Sequence, residues 1–578
     1  MKRFVVLVVL GILISSVSAN PLARIYQVDD PLLKKIEAIS LESGVNPFSS
    51  AGPVSGYELA RHLESIETQN LSTRNRELFN SVKQSLYDPY ISKMWDSIIR
   101  ITQEGYLNTD KDSKYYDWVE SYNTREPLLY GEAETIFGDN AYGIFSYALQ
   151  KAFSDSDFSG FKTNNPLVLH GGNTAIQNSV PHTAFLGFSG PWYTMVVGRD
   201  AIRIGRGSTG NLMVSSPVPY HDFLQLSVSN TKLKYTFFAI PMNELVTQEM
   251  ITTKGLDQDS LGEAWYPHLN PAGAWHTLFH GTRRRTYLAH RLEADILPWW
   301  RMAITEGTMI YTDTIDLRMF SPMMFLHNLQ NFGEVNNTLG IETEITLSKR
   351  WALDVQFFID QLQTSAEQGA TELPPNANAL LIGGRFRYPK EDWSFSGYIE
   401  GAYTSPFVYL RTGDNTQNYG IDPDPSSNPN YENTQFNLDL VHAVSMEEGR
   451  SGVNWLGYVY GPDSIVLATK VAGAYKNQFE IFSDIRLIIQ GERGLYIEGK
   501  EQEVVLKPAT EINMPSPSGP NPTYSLILGL GASMNIPRTD VSVYARNYWV
   551  NKWNNSGHKA NYQLAIGASY TREFPANR

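Results

Sequence analysis

The sequence predicts a mostly-β chain: a large antiparallel transmembrane β-barrel preceded by a small α-helical domain. Three observations lead there. Apolar residues recur at alternate positions in stretch after stretch beyond about Arg125. The connections between those stretches alternate between short and long, as they do in membrane barrels. Finally, 44 Gly, 32 Tyr, 26 Phe and 12 Trp stand beside only 19% charged residues, and no apolar run after the N-terminus approaches the length of a membrane helix.

The chain opens with Lys2 and Arg3, an apolar run from Phe4 to Ile14, and small residues ending Val17-Ser18-Ala19. The run is too short to span a bilayer and leads into a cleavage-type sequence, so residues 1–19 read as a secretory signal peptide. Residues 20–124 read as a helical domain facing the periplasm. Leu32, Leu33, Ile36 and Ile39 form one stripe, and Ser55 with Glu58 forms a capping box that opens a stretch through Leu59, Leu63 and Ile66. Leu78, Phe79, Val82 and Leu86 form a third, and the Gly/Pro/Ser stretch from Gly44 to Ser55 connects two of the helices.

Residues 125–578 read as the barrel. Tyr524, Leu526, Leu528, Leu530, Ala532, Met534 and Ile536 alternate with polar or small residues, and Trp351, Leu353, Val355, Phe357 and Ile359 repeat the pattern. Ser348–Arg350, Pro389–Asp392 and Pro537–Asp540 are short turns; Gln361–Asn378, Arg411 to about Gln435 and Pro508–Thr523 are long loops. Following that alternation to its end leaves the C-terminus in the periplasm. The last strand, Tyr562 to Phe574, is alternating and aromatic-ended, like the signal by which barrel-insertion machinery recognises its clients, with four residues following it. At roughly 25 residues per strand with its connection, Glu126 to Phe574 makes on the order of 16 to 20 strands.

Several chemistries drop out. With no cysteine there are no disulfides, thiolate metal sites or cysteine nucleophiles. A net charge of −13 argues against a nucleic-acid partner. There is no H-E-x-x-H, G-x-S-x-G or Walker loop, so neither catalytic residues, a metal nor a cofactor is expected. Glu342 and Glu344 sit where any lumen-lining strand would place carboxylates.

Two polar clusters remain. GRDAIRIGRGSTGNLMVSS, Gly198 to Ser216, matches G-x-G-x-x-G at Gly205, Gly207 and Gly210 but leads into Pro217 and Pro219, not a helix, which rules out a dinucleotide fingerprint. Its Arg199, Asp200, Arg203 and Arg206 read as lumen-facing or turn residues stiffening the wall. In YLAHRLEADI, Tyr287 to Ile296, Leu288, Leu292 and Ile296 fall on one face while Arg291, Glu293 and Asp295 fall on the other; the charges should face the lumen, where Arg291 and Glu293 are placed to pair.

Through these clusters, followed by ITEGTMIY and the FSPMMF segment ending at Phe325, the sequence resembles the Wzi capsule-assembly family. Where that family commonly carries Trp-Gly-Pro-Gly, this chain has Ile204, Gly205, Arg206 and Gly207. The resemblance implies an outer-membrane barrel of about 18 strands, plugged within, with a helical bundle on its periplasmic side and a role as a surface lectin that organises capsular polysaccharide. The expected partners are then a surface polysaccharide and outer-membrane lipid. Trp265 and Trp275 in one long outer loop and Tyr419 and Tyr431 in another offer aromatic faces for sugar rings, and equally suit a membrane-interface girdle. The other reading is a porin or solute channel with an open lumen.

Overall fold

The structure is a computed structural model that describes residues 20–87, 96–110, 119, 126–151, 160–165, 176–178, 182–215, 218, 220–242, 244–247, 265–266, 275–278, 284–312, 321, 334–362, 376–410, 412–413, 436–437, 440–447, 450–476, 478–492 and 514–575. The signal-peptide residues lie outside this set.

Three helices form where their caps allow. In α1 (Pro31–Ser43) the Asp30 carboxylate accepts from Leu32 N, Pro31 supplies the preset first φ, and Gly44 ends the helix at φ 80°. The Ser55 hydroxyl caps α2 (Gly56–Glu64) through Glu58 N, and Ser72 caps α3 (Thr73–Leu86) through Asn75 N; such caps contribute about 1 kcal/mol each. Leu33, Ile36, Ile39, Leu59, Leu63, Phe79, Val82 and Leu86 close into one apolar cluster, the stripes expected from the sequence.

The barrel wall has eighteen antiparallel strands. They are β1 (Asp96–Asn108), β2 (Leu129–Phe137), β3 (Ala141–Lys151), β4 (Ala184–Gly190), β5 (Tyr193–Asp200), β6 (His221–Ser229), β7 (Leu233–Met242), β8 (Arg284–Leu297) and β9 (Trp300–Thr312). The remainder are β10 (Glu334–Ser348), β11 (Trp351–Gln361), β12 (Ala377–Lys390), β13 (Trp393–Thr404), β14 (Ser464–Tyr475), β15 (Phe479–Gln490), β16 (Thr523–Asn535), β17 (Val541–Asn554) and β18 (Gly557–Pro575). Two short segments, Gly160–Thr163 and Ile176–Asn178, continue the lines of β2 and β4. Closure is made by β18 on β1, from Gln563 opposite Asn108 to Pro575 opposite Asp96, which leaves no free sheet edge.

That closing strand corrects the domain boundary. β1 lies within residues 20–124, read from the sequence as helical, so the barrel begins near residue 96 instead of 125. Ile99 and Ile101 point outward and Thr102 and Glu104 inward, an alternation blurred in sequence by the Ile98-Ile99 pair.

The outer face is apolar: Leu530, Trp549, Leu467 and Ile304 are each more than half exposed. In water such a band would be an association surface; against acyl chains it is the requirement for spanning. Trp192, Trp299, Trp351 and Trp393 ring the short-turn end and Trp549 and Trp553 the other, a girdle at two levels. Short turns and long loops segregate to opposite ends as the sequence predicted, with one exception: β17 and β18 join through Asn555 and Ser556 at the long-loop end.

The helices cap the short-turn end. Asn46 N donates to Pro298 O (2.8 Å), Arg61 Nη1 to Pro191 O (2.7 Å), Tyr57 Oη to Asp139 O (3.1 Å) and Arg74 Nη1 to Trp393 O (3.1 Å), so one helical layer grips turns spread around the rim.

Candidate functional site: the filled lumen

Among the described residues, three segments supply most of the filling of the barrel. The first is residues 46–55, whose Ala51–Gly52 strand pairs antiparallel with Arg203–Ile204 of the second. The second is the described part of the β5–β6 connection, residues 201–215, 218 and 220, which turns into the barrel: Ile204 N donates to Val214 O (3.0 Å) and Gly205 N to Ser50 O (3.1 Å). The third is the described part of the β13–β14 connection, where Ser215 N donates to Leu456 O (2.9 Å) and Tyr409 Oη to Leu212 O (2.8 Å). Ile204, Leu212, Met213, Val214, Val408, Tyr409 and Leu456 are fully buried against Phe223, Phe238, Phe358 and Leu381 of the wall. The centre of the lumen is therefore an apolar core where a channel would hold water.

A charged network surrounds this core at the short-turn side. Arg291, fully buried on β8, donates to Glu342 Oε1 (2.7 Å) and Oε2 (2.9 Å), to Glu293 Oε1 (3.0 Å), to Thr305 Oγ1 (2.9 Å) and to Ser50 Oγ (2.6 Å). Glu293 also accepts from Ser50 N (3.2 Å), Ser50 Oγ (3.0 Å) and Ser49 Oγ. Arg206 donates to Glu344 Oε2 (3.0 Å), Ser49 O (3.0 Å), Glu37 and Phe48 O. Lys234 pairs with Glu58 at 2.8 Å and Arg301 with Asp295 at 2.7 Å, while Arg301 Nη1 also holds Phe48 O at 2.7 Å. On the far side, Glu400 accepts from Ser208 N (2.6 Å), Thr209 N (2.8 Å) and Thr209 Oγ1, and Gln356 bonds Leu212 N and Asn211. The carboxylates of this network have cationic or hydroxyl partners, which makes it a latch between wall and plug.

Outside the membrane-spanning strands, Glu37 and His62 are among the groups whose ionisation is displaced. Burial alone would raise the Glu37 carboxyl, but Arg206 and Arg385 hold it below its ordinary value of 4.5. His62, whose Nε2 meets Ser40 Oγ at 2.7 Å, is lowered to about 3, first by burial and then by Arg301 and Arg206.

Most of the sequence-predicted cluster converges here. Arg206, Arg291 and Glu293 form its centre and Arg203 pairs through its backbone with Gly52. Asp200 faces inward and accepts from Gln27 Nε2 (2.8 Å) and Thr183 Oγ1 (3.1 Å). Arg199 does not belong to it. Its strand register runs unbroken, so it shares the outer face with Val197, 42% exposed, and forms a two-point pair with Asp222 at 2.7 and 2.8 Å. Glu37, Ser49, Ser50 and Glu400 went unremarked in sequence, since nothing local marks a serine or glutamate whose partner lies more than 130 residues away. Of the aromatic candidates, Trp265 and Trp275 lie on strands Trp265–Tyr266 and Trp275–Leu278 of a small sheet completed by Glu244–Thr247. Tyr419 and Tyr431 lie outside the described residues.

A closed wall with an apolar outer face and a packed lumen defines a plugged transmembrane β-barrel of the outer-membrane kind. No family model and no curated protein matches the chain. Among solved structures it is similar to Wzi of Escherichia coli, an outer-membrane protein involved in group 1 capsule assembly and a carbohydrate-binding β-barrel. The two share 13% identity over 96% of this chain and 100% of that one, with a TM-score of 0.53. It also overlays on OccAB3 of Acinetobacter baumannii (10% identity, 83% and 99% covered, TM-score 0.38) and OprD of Pseudomonas aeruginosa (8%, 84% and 96%, 0.37). The likeness to Wzi is one of fold.

Proposed function

We propose that this chain is an exported outer-membrane protein, its helical domain in the periplasm, that binds a capsular or other surface polysaccharide and assists its assembly or attachment without catalysing a reaction. The observation that carries this reading is the filled lumen. A diffusion channel needs a continuous aqueous path, and here buried side chains from three segments occupy the middle of the barrel. What remains for function is the long-loop end, where the sequence places aromatic and amide side chains suited to sugar rings and hydroxyls. The fold likeness to a carbohydrate-binding barrel supports the same assignment.

The test is a gene deletion scored for cell-bound against released polysaccharide, with small-solute uptake measured in the same strain. Polysaccharide still made but shed, with uptake unchanged, is expected. Polysaccharide retained with uptake reduced would sink the proposal in favour of a channel.

A further inference from the structure

A cavity of about 450 Å³ opens where the helical layer meets the barrel rim, between α2 and the turns joining β6 to β7 and β8 to β9. That volume suits a small-molecule head group. Its chemistry is two-sided. Leu233 and Ile296, each 48% exposed on the outer face, and Leu297 form an apolar lip continuous with the lipid-facing wall. Behind the lip stand Arg61 and Lys232. Arg61 is held by neutral acceptors only, Pro191 O at 2.7 Å and Ser229 Oγ at 2.6 Å, and Lys232 projects from an exposed turn. Among the described residues no carboxylate lies within ion-pair distance of either. The acids that line the cavity are already engaged: Glu58 by Lys234, Asp295 by Arg301 and Glu293 by Arg291. Two positive charges therefore face the opening uncompensated.

The girdle sets the depth. Trp192 follows the Pro191 that Arg61 grips, and Trp299 follows the Pro298 that lines the cavity, so the opening lies at the level where interfacial tryptophans meet lipid head groups. We propose that this cavity is a binding site for the phosphate of an anionic glycerophospholipid. The phosphate sits between Arg61 and Lys232 and the acyl chains run outward along Leu233 and Ile296. The helical layer would thereby be fastened to the membrane as well as to the barrel. This inference needs the membrane-spanning wall but not the glycan role.

The test uses the full mature protein in uncharged maltoside micelles, titrated with dioleoylphosphatidylglycerol and read by native mass spectrometry. Sn-glycerol 1-phosphate serves as soluble competitor. Wild type should retain one lipid, and R61Q/K232Q should bind it about thirtyfold more weakly, since each basic group beside an anionic head group contributes about a factor of five. Because Arg61 also bridges two turns, K232E alone, at an exposed turn, provides a second variant and should weaken binding at least fivefold. Equal binding by wild type and K232E overturns the site. Displacement of the lipid by equimolar sn-glycerol 1-phosphate overturns the lipid as its source.

Discussion

Replacing Glu293 with leucine should open the barrel without dissolving it. The carboxylate is buried on β8 and joins wall to plug: it accepts from Ser49 Oγ, from Ser50 N at 3.2 Å and Ser50 Oγ at 3.0 Å, and it pairs with Arg291 at 3.0 Å. Leucine nearly matches its volume, so the loss is polar. Arg291 keeps Glu342 at 2.7 Å and is not left as a bare charge, but Ser50 N and Ser50 Oγ lose their acceptor and Ser49 Oγ is left with Ala51 O at 3.1 Å. Arg291 and Glu293 share one wall strand, so what joins wall to plug is the set of hydrogen bonds from Ser49 and Ser50; bonds to a charged acceptor contribute about 1.5–3 kcal/mol each, and because these share one carboxylate and do not add in full, the set contributes about 3–5 kcal/mol. The wall's ladder is untouched, so the cost falls on plug docking, shifting its open–closed equilibrium by about two to three and a half orders of magnitude. The assay is single-channel recording in planar bilayers, with heat-modified gel mobility as the check that the barrel still closes. Wild type should be nearly silent and Glu293→Leu should show openings at least a hundredfold more frequent. A variant as silent as wild type, with plug amides equally protected from hydrogen exchange, would refute the latch.

Gly205→Ala should loosen residues 201–215: the glycine holds φ +114° and an added Cβ would meet Asn211 Oδ1 at 2.4 Å and Gln356 Nε2 at 2.7 Å, so faster amide exchange there is expected, while Gly131→Ala, with nothing within 4 Å, should be silent. Leu530→Arg, on the lipid face, should cost about 2–4 kcal/mol in urea titrations of folding into vesicles, and Leu530→Ala far less. Acid should weaken the helical layer in two windows. His62 stays neutral in the fold down to about 3 but takes up a proton near 6.5 when unfolded, so stability falls as pH drops from about 6.5 toward 3. Glu37 adds stability that is full above 4.5 and lost below it, as its lowered carboxyl is protonated and releases Arg206. Helix melting followed by circular dichroism should show the first loss beginning near pH 6.5 in wild type and absent in His62→Gln.

The strands were legible because a wall one residue thick, lipid on one side and lumen on the other, writes a period of two: β11 and β16 lie within a residue or two of their expected positions, and the short turns fell between the expected strands. The helices were legible through their stripes and caps: the Ser55 hydroxyl accepts from Glu58 N as the capping box predicts, while the Glu58 carboxylate turns to Lys234 of the wall. β1 was missed because its Ile98-Ile99 doublet breaks the alternation, and Arg199 was assigned to the lumen because its own strand is brief and its neighbours are charged. Sequence alone determined that this chain makes helices first and a membrane barrel after, since both follow from local periodicity. Only the tertiary structure decided that the β5–β6 connection turns inward, that Arg206 reaches Glu37 on a helix, and that Ser49 and Ser50 latch onto Glu293. Those partners lie 169 to 244 positions apart along the chain, and periodicity carries a residue's face but not the residue it will meet.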